Sequence, residues 1–258
     1  MNERYLKEKA KTIRRMCVEN MTRSHSSHIG SVLSMTDIVT YLFYEKMDHQ
    51  IDKFILSKGH AVAGLYAVLY DRGVISCEEY ESYHANDSYL IAHPNHVIDG
   101  IEVSTGSLGH GPAIAAGLAW AYSMDKKSGT IYCLLGDGEC QEGSVWEALI
   151  FIARSLFNNL VIIIDANGYQ GFSDSSDSLF SEKKLIQMLK GTGLDVREID
   201  GHNFKEIHAA VPSTLKKPCV IFAHTVKGKG VSYMENKFEW HYKTPDLEQL
   251  TQAMEELK

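Results

Sequence analysis

From residue 130 onward the chain alternates short apolar runs with amphipathic stretches, and no other feature constrains its fold as tightly. Strands are expected at residues 130–135, 160–165, 194–199 and 219–224, with helices starting at Ser144, lying near 183–190, and starting at Phe204. Strands that alternate with helices imply an α/β fold, a parallel sheet with helices on both faces. Ligands of such sheets sit where the carboxyl ends of the strands meet the loops that follow.

The first third reads helical instead. Leu6, Ala10, Ile13, Cys17 and Met21 share one face, and Val32, Met35, Val39, Leu42 and Phe43 repeat the pattern. Between them, Ser24-His25-Ser26-Ser27-His28-Ile29-Gly30 suits a loop that ends at a helix cap, with both histidines facing out from a bend. A short buried strand at 54–57, a Lys58-Gly59-His60 turn and a helix from Ala61 follow, and a helix of small residues is expected at 113–122. Residues 173–178 read as a polar loop.

With 258 residues and 44% hydrophobic content the chain can bury a large core. It is expected to form one domain over 1–258, with an N-terminal helical extension and no linker. A net charge of −7 with scattered lysines gives no field for nucleic acid or anionic lipid. No apolar run reaches the roughly 18 residues of a membrane span, and the N-terminus lacks the apolar core of a signal peptide, so a cytoplasmic location is expected. The five cysteines are widely spaced without a C-x-x-C pair and read as reduced thiols.

Two consecutive expected strands run into acidic, glycine-flanked loops, Gly136-Asp137-Gly138-Glu139 and Asp165-Ala166-Asn167-Gly168. Both should open at the same sheet edge. Gly136 and Gly138 let the backbone turn and approach a phosphate, while Asp137 offers a carboxylate and Asn167 a neutral carbonyl oxygen. Hard oxygen donors suit magnesium, with calcium as the alternative. A single carboxylate cannot form a full cage, so the metal must borrow oxygens from a bound diphosphate. Taken alone, Gly-Asp-Gly is equally an ordinary turn, with Asp165 and Asn167 capping the next element. The spacing of about thirty residues from Asp137 to Asn167, with a helix and a strand between, matches the thiamine diphosphate motif. Both residues are expected on surface loops, where their removal would cost the fold little.

From Ser26 to His241 the chain resembles transketolase. The resemblance implies that Asp137, Asn167 and the backbone carbonyl of Tyr169 hold the metal, and that Gly136, Gly138 and Glu139 lie on the cofactor's diphosphate. Glu142, in Gln141-Glu142-Gly143, matches a family glutamate near the subunit interface, and a catalytic role is expected for it. Thr105-Gly106-Ser107-Leu108-Gly109 is similar to the segment that supports the aminopyrimidine ring, which makes Gly106 and Leu108 cofactor-binding candidates. Several histidines line the family's funnel to the thiazolium carbon, since neutral imidazoles exchange protons and hydrogen-bond sugar hydroxyls near neutral pH. Ser27-His28-Ile29-Gly30, Leu56-Ser57-Lys58-Gly59-His60, Ala92-His93-Pro94 and Glu239-Trp240-His241 match the segments that carry them. By the resemblance His60 and His241 contact the diphosphate side, while His28, His93 and His241 contact donor hydroxyls. Ser27 and Ile29 replace the usual glycine and proline beside His28, and His110 stands where glutamine is common.

In the family, a glutamate on a pyrimidine-binding domain activates the cofactor. Residues 246–258 read as one helix and cannot supply such a domain. The expected partner is therefore a separate C-terminal transketolase subunit in an α2β2 particle, acting on sugars or sugar phosphates. Two other readings remain open at this point. One is the α subunit of a 2-oxo-acid dehydrogenase, which shares the Gly-Asp-Gly and asparagine but lacks the histidine ring; the other is a non-catalytic cofactor-binding or scaffold subunit.

Overall fold

Among the described residues of the computed structural model, which are 1–155, 157–170 and 181–258, five strands form one all-parallel sheet. The polar loop expected at 173–178 lies outside the described residues. The strands are β1 (Lys53–Leu56), β2 (Ile131–Gly136), β3 (Leu160–Ala166), β4 (Asp195–Asp200) and β5 (Cys219–His224), in the order β1-β2-β3-β5-β4. Apolar residues occupy both parities of β2, β3 and β5, as a sheet covered on both faces requires. Edge strand β4, with Asp195, Arg197 and Glu198, is half-exposed, and its charges keep a further strand from adding there.

Side-chain alternation along the strands divides the core in two. Tyr132, Leu134, Val161, Ile163 and Ile221 face α1 (Glu3–Arg23), α2 (Ile29–Tyr41), α3 (Val62–Asp71) and α8 (Phe204–Ala210). Cys133, Leu135, Ile162, Ile164 and Phe222 face α5 (Gly111–Met124), α6 (Gly143–Arg154) and α7 (Glu182–Gly191). Every residue of α2 is buried, which explains its unbroken run of apolar and small residues and the weakness of any polar face. The short α4 (Cys77–Glu81) and the terminal α9 (Leu247–Glu256) each begin with a capping box, Ser76 with Glu79 and Asp246 with Gln249. No helix among the described residues is long and apolar enough to cross a membrane.

Candidate active site

Register places Gly136 at the end of β2 beside Asp165 of β3, and Ala166 beside His224 of β5. The loops that follow β1, β2, β3 and β5 therefore open at one edge, around a cleft of about 410 Å³. It is lined by His28, His60, His93, Gly106, Leu108, Gly136, Asp137, Gly138, Glu139, Glu142, Asn167, Tyr169 and His241, so the structure brings every residue singled out for cofactor, metal or catalysis to one place.

The side chains of Asp137 and Asn167 do not sit on the surface as the sequence suggested: their residues are 6% and 5% exposed. Asp137 accepts backbone N–H groups from Gly138 and Gly168, both at 2.9 Å, and so ties the two glycine loops together. Asn167 Oδ1 accepts the N–H of Tyr169 at 3.2 Å, and its amide nitrogen lies 3.4 Å from Asp165 Oδ2 and from Ser34 Oγ. Removing either side chain thus also frees local backbone, because these polar groups organise the loops they stand on.

Behind this pair lies a buried ion pair. Asp165, with no exposed surface, accepts from Lys58 Nζ, from Thr225 Oγ1 and, at 2.6 Å, from Ser34 Oγ. Burial opposes charge on Asp165, but Lys58 prevails and holds its carboxyl below the usual carboxylate range. Asp137 goes the other way. Burial, joined by the charge of Asp165, pushes its carboxyl up to about 7, and among the described residues it has no ion pair. A buried carboxylate in that state calls for a cation. One carboxylate, one amide carbonyl and the nearby backbone oxygen of Tyr169 form a hard donor set that fits magnesium or calcium. Among the described residues no group of three or more His, Cys, Asp or Glu side chains is placed to hold a metal, so the remaining donors would have to be ligand oxygens, backbone or water.

The walls suit a diphosphate. A Cβ on Gly136 would meet nothing within 4 Å, whereas one on Gly138 would come within 2.8 Å of Gln170 Cβ. Gly106 takes φ +150°, and a Cβ there would press on the His93 ring at 3.1 Å, so glycine lets this histidine lie flat against the loop. Lys227 is fully buried, and its Nζ reaches Ser31 Oγ at 3.2 Å and His241 Nδ1 at 3.1 Å. Burial and the neighbouring Lys58 lower its pKa to about 8. Sequence reasoning missed Lys227, yet a signal existed: Lys227-Gly228-Lys229-Gly230 is a glycine-flanked charged loop just past a strand, like those after β2 and β3.

Glu139 is bound up in the scaffold. Its carboxylate accepts from Ser57 Oγ, from Gly109 N–H at 2.8 Å and from Gly136 N–H at 3.1 Å, which fastens three loops around the cleft. Burial raises its pKa despite these donors. Glu142 is exposed at the start of α6, on the rim.

Three imidazoles cluster at the cleft. Ring centroids of His28 lie 4.9 Å from His241 and 5.2 Å from His60, and those of His60 and His241 are 5.7 Å apart. The two histidines of the first bend part company: His25 is exposed, while His28, at φ +75°, turns inward and anchors its N–H on His241 O at 3.0 Å. Ser27 Oγ lies 2.8 Å from His28 Nδ1. Burial, then the charges of His93 and Lys227, lower His28 to about 4; burial and Lys227 lower His241 to about 3. Burial also lowers His60, strongly, and His93. These rings stay neutral at physiological pH, each able to donate one hydrogen bond and accept another.

The sequence family described as the thiamine diphosphate binding domain of transketolase matches residues 6–256. One of the two subunits of an apulose-4-phosphate transketolase from Phocaeicola vulgatus is 37% identical over 255 residues, an alignment that covers 95% of this chain and 90% of that protein. Human transketolase is 34% identical over 261 residues, covering 98% of this chain and 42% of its own length. Among solved structures, transketolase from Campylobacter jejuni superposes with a TM-score of 0.91 at 30% identity, over 100% of this chain and 43% of that one. The chain thus spans about two fifths of the length of the solved structures it matches.

Proposed function

Because the chain belongs to the transketolase family, we propose that it is the diphosphate-binding subunit of a two-chain transketolase, which moves a two-carbon ketol unit from a ketose phosphate to an aldose phosphate. The observation that carries this reading is the cluster of neutral imidazoles in the same cleft as Asp137 and Asn167. A cofactor site alone needs the carboxylate and the amide; a ring of proton-exchanging histidines serves a polyhydroxylated substrate.

Bound thiamine diphosphate supplies the nucleophilic carbon that carries the two-carbon unit. The chain's own residues do the rest. Asp137, Asn167 and the Tyr169 carbonyl would hold magnesium against the diphosphate, and Lys227 faces the same charge from the floor of the cleft. Gly106 and Leu108 support the aminopyrimidine side. His28 and His93 orient donor hydroxyls and exchange protons with them, while His60 and His241 bridge diphosphate and sugar. Glu142 stands at the rim, where a second subunit would close the cleft.

A partner is supported by the bacterial relative, which is named as one subunit of its enzyme and whose length this chain nearly matches. It is also supported by an apolar surface on α5 and α6, the helices whose first turns border the cleft. Trp120, Met124, Ile150 and Phe151 are 53%, 72%, 54% and 43% exposed, and the Trp120 and Phe151 rings lie 5.6 Å apart. Contiguous apolar surface of this kind marks an interface. The proposed assembly is an α2β2 particle in the cytoplasm, in which the second subunit brings the pyrimidine-binding domain and its activating glutamate.

Calorimetric titration with thiamine diphosphate and magnesium tests the cleft. Asp137→Ala and Asn167→Ala should each weaken binding by more than about tenfold, the scale seen when even supporting groups of a metal site are lost. Unchanged affinity in both variants overturns the assignment.

A further inference from the structure

Lys227 reaches the cleft from a turn whose backbone needs anchoring. The β4–β5 ladder closes at Asp200 and His224, and one more bond, Gly201 N–H to His224 O at 2.8 Å, extends it. Beyond that the backbones part. Thr225 N–H finds Ala166 O at 3.0 Å and Gly228 N–H finds Gly30 O at 2.9 Å. Between them, the N–H of Val226 donates to a side chain, His202 Nε2, at 2.8 Å. The other nitrogen of that ring, Nδ1, lies 2.7 Å from Asp37 Oδ2. Asp37 in turn takes two bonds from Arg14, at 2.6 and 3.0 Å, inside the first helical layer.

These contacts fix the proton. A backbone N–H can only donate, so Nε2 must carry a lone pair and the ring's single proton sits on Nδ1, where the Asp37 carboxylate accepts it. Burial works against a charged Asp37, but Arg14 and the His202 hydrogen bond outweigh it and hold the carboxyl at about 2, so the acceptor is always present. We infer that His202 is a positioning residue of the cleft: as the Nδ1–H tautomer set by Asp37 and Arg14, it anchors Val226 N–H and thereby the turn that presents Lys227 to His241. This inference rests on the reading of the cleft as the diphosphate site. It gives a role to a histidine that neither the motif pattern nor the lining of the cleft singles out.

The test uses the full chain and begins with its unaltered form. Long-range 15N–1H NMR of the histidine rings should find His202 protonated at Nδ1 and bare at Nε2. His202→Phe keeps a ring of similar size and removes both nitrogens, so it separates hydrogen bonding from packing. In this variant the Val226 amide should exchange with solvent about tenfold faster or more, the effect of losing one ordinary hydrogen bond, while the amides of Val220 to Phe222 in β5 exchange as before. Affinity for thiamine diphosphate with magnesium should fall several-fold with little change in Tm. A proton on Nε2, or an unchanged Val226 exchange rate in a folded His202→Phe chain, overturns the inference. Should His202→Phe not fold, the tautomer of the unaltered chain decides alone. Should the unaltered chain bind no thiamine diphosphate, the reading of the cleft falls, and tautomer and exchange still decide the role of His202.

Discussion

Replacing Lys58 by Met removes the cation of the buried pair and leaves Asp165 in place. The residues of the pair are 1% and 0% exposed, so solvent cannot take over the lost charge. Breaking one side of a buried ion pair costs about 3–5 kcal/mol. Asp165 keeps hydroxyl donors on Ser34 and Thr225, which argues for the lower end, about 3 kcal/mol. At roughly 2–4 °C per kcal/mol for a chain of this size, Tm should drop by about 6–12 °C. The sign of the pH dependence follows from the depressed carboxyl of Asp165. Its stabilisation is present above the unfolded carboxylate pKa, about 3.9, and is lost as pH falls through the lower folded value. The gap between the unaltered chain and Lys58→Met should therefore be full at pH 7.5 and shrink below about pH 4. Urea unfolding followed by circular dichroism reads both. Adding Asp165→Asn to Lys58→Met should recover most of the loss, since both charges are then gone. A Lys58→Met chain within about 1 kcal/mol of the original at pH 7.5 refutes the reasoning, for that is the scale of a solvated surface pair.

The neutral histidines carry a second pH signature. Between pH 6.5 and about 4 the unfolded chain takes up protons that folded His28 and His241 refuse, so each ring destabilises the fold on acidification by at most about 1.4 kcal/mol per pH unit; Tm measured from pH 7 to 5 should fall less steeply in His241→Gln, and parallel curves would count against burial as the cause. His28→Ala and His93→Ala should keep cofactor affinity close to normal while ketol transfer in the assembled enzyme falls by about a hundredfold, the scale of lost proton exchange; full transfer in both would remove the histidines from the chemistry. Phe151→Glu, with its side chain on the exposed face of α6, should leave the fold intact and abolish co-elution with the partner subunit on gel filtration, and undiminished co-elution would place the interface elsewhere.

The sheet and the metal pair were legible because their signals are local. Apolar runs of strand length and glycines flanking Asp137 and Asn167 need only neighbours in sequence to be recognised. Lys58 was visible merely as the variable position of its motif, since its partner Asp165 lies on another strand. Lys227 and His202 were harder still: their meaning depends on residues 31, 37 and 241 arriving from other elements. Which histidine of the first bend enters the cleft was not readable either. His25 and His28 both take positive φ, at 50° and 75°, and packing of α2 against the turn around His241 decides that the second points inward. Burial of Asp137 and Asn167 escaped for the same reason, because the loops fold back on each other only once β2 and β3 stand side by side.

The central claim, a cofactor half-site completed by a second subunit, is tested most directly by turnover. The chain is purified to homogeneity, given thiamine diphosphate, magnesium, a ketose phosphate donor and an aldose phosphate acceptor, and assayed with and without a pyrimidine-domain subunit. The account predicts a folded chain without ketol transfer by itself, and transfer restored when the partner is added at equal stoichiometry, with the active species eluting as an α2β2 particle. Robust transfer by the chain alone would contradict it.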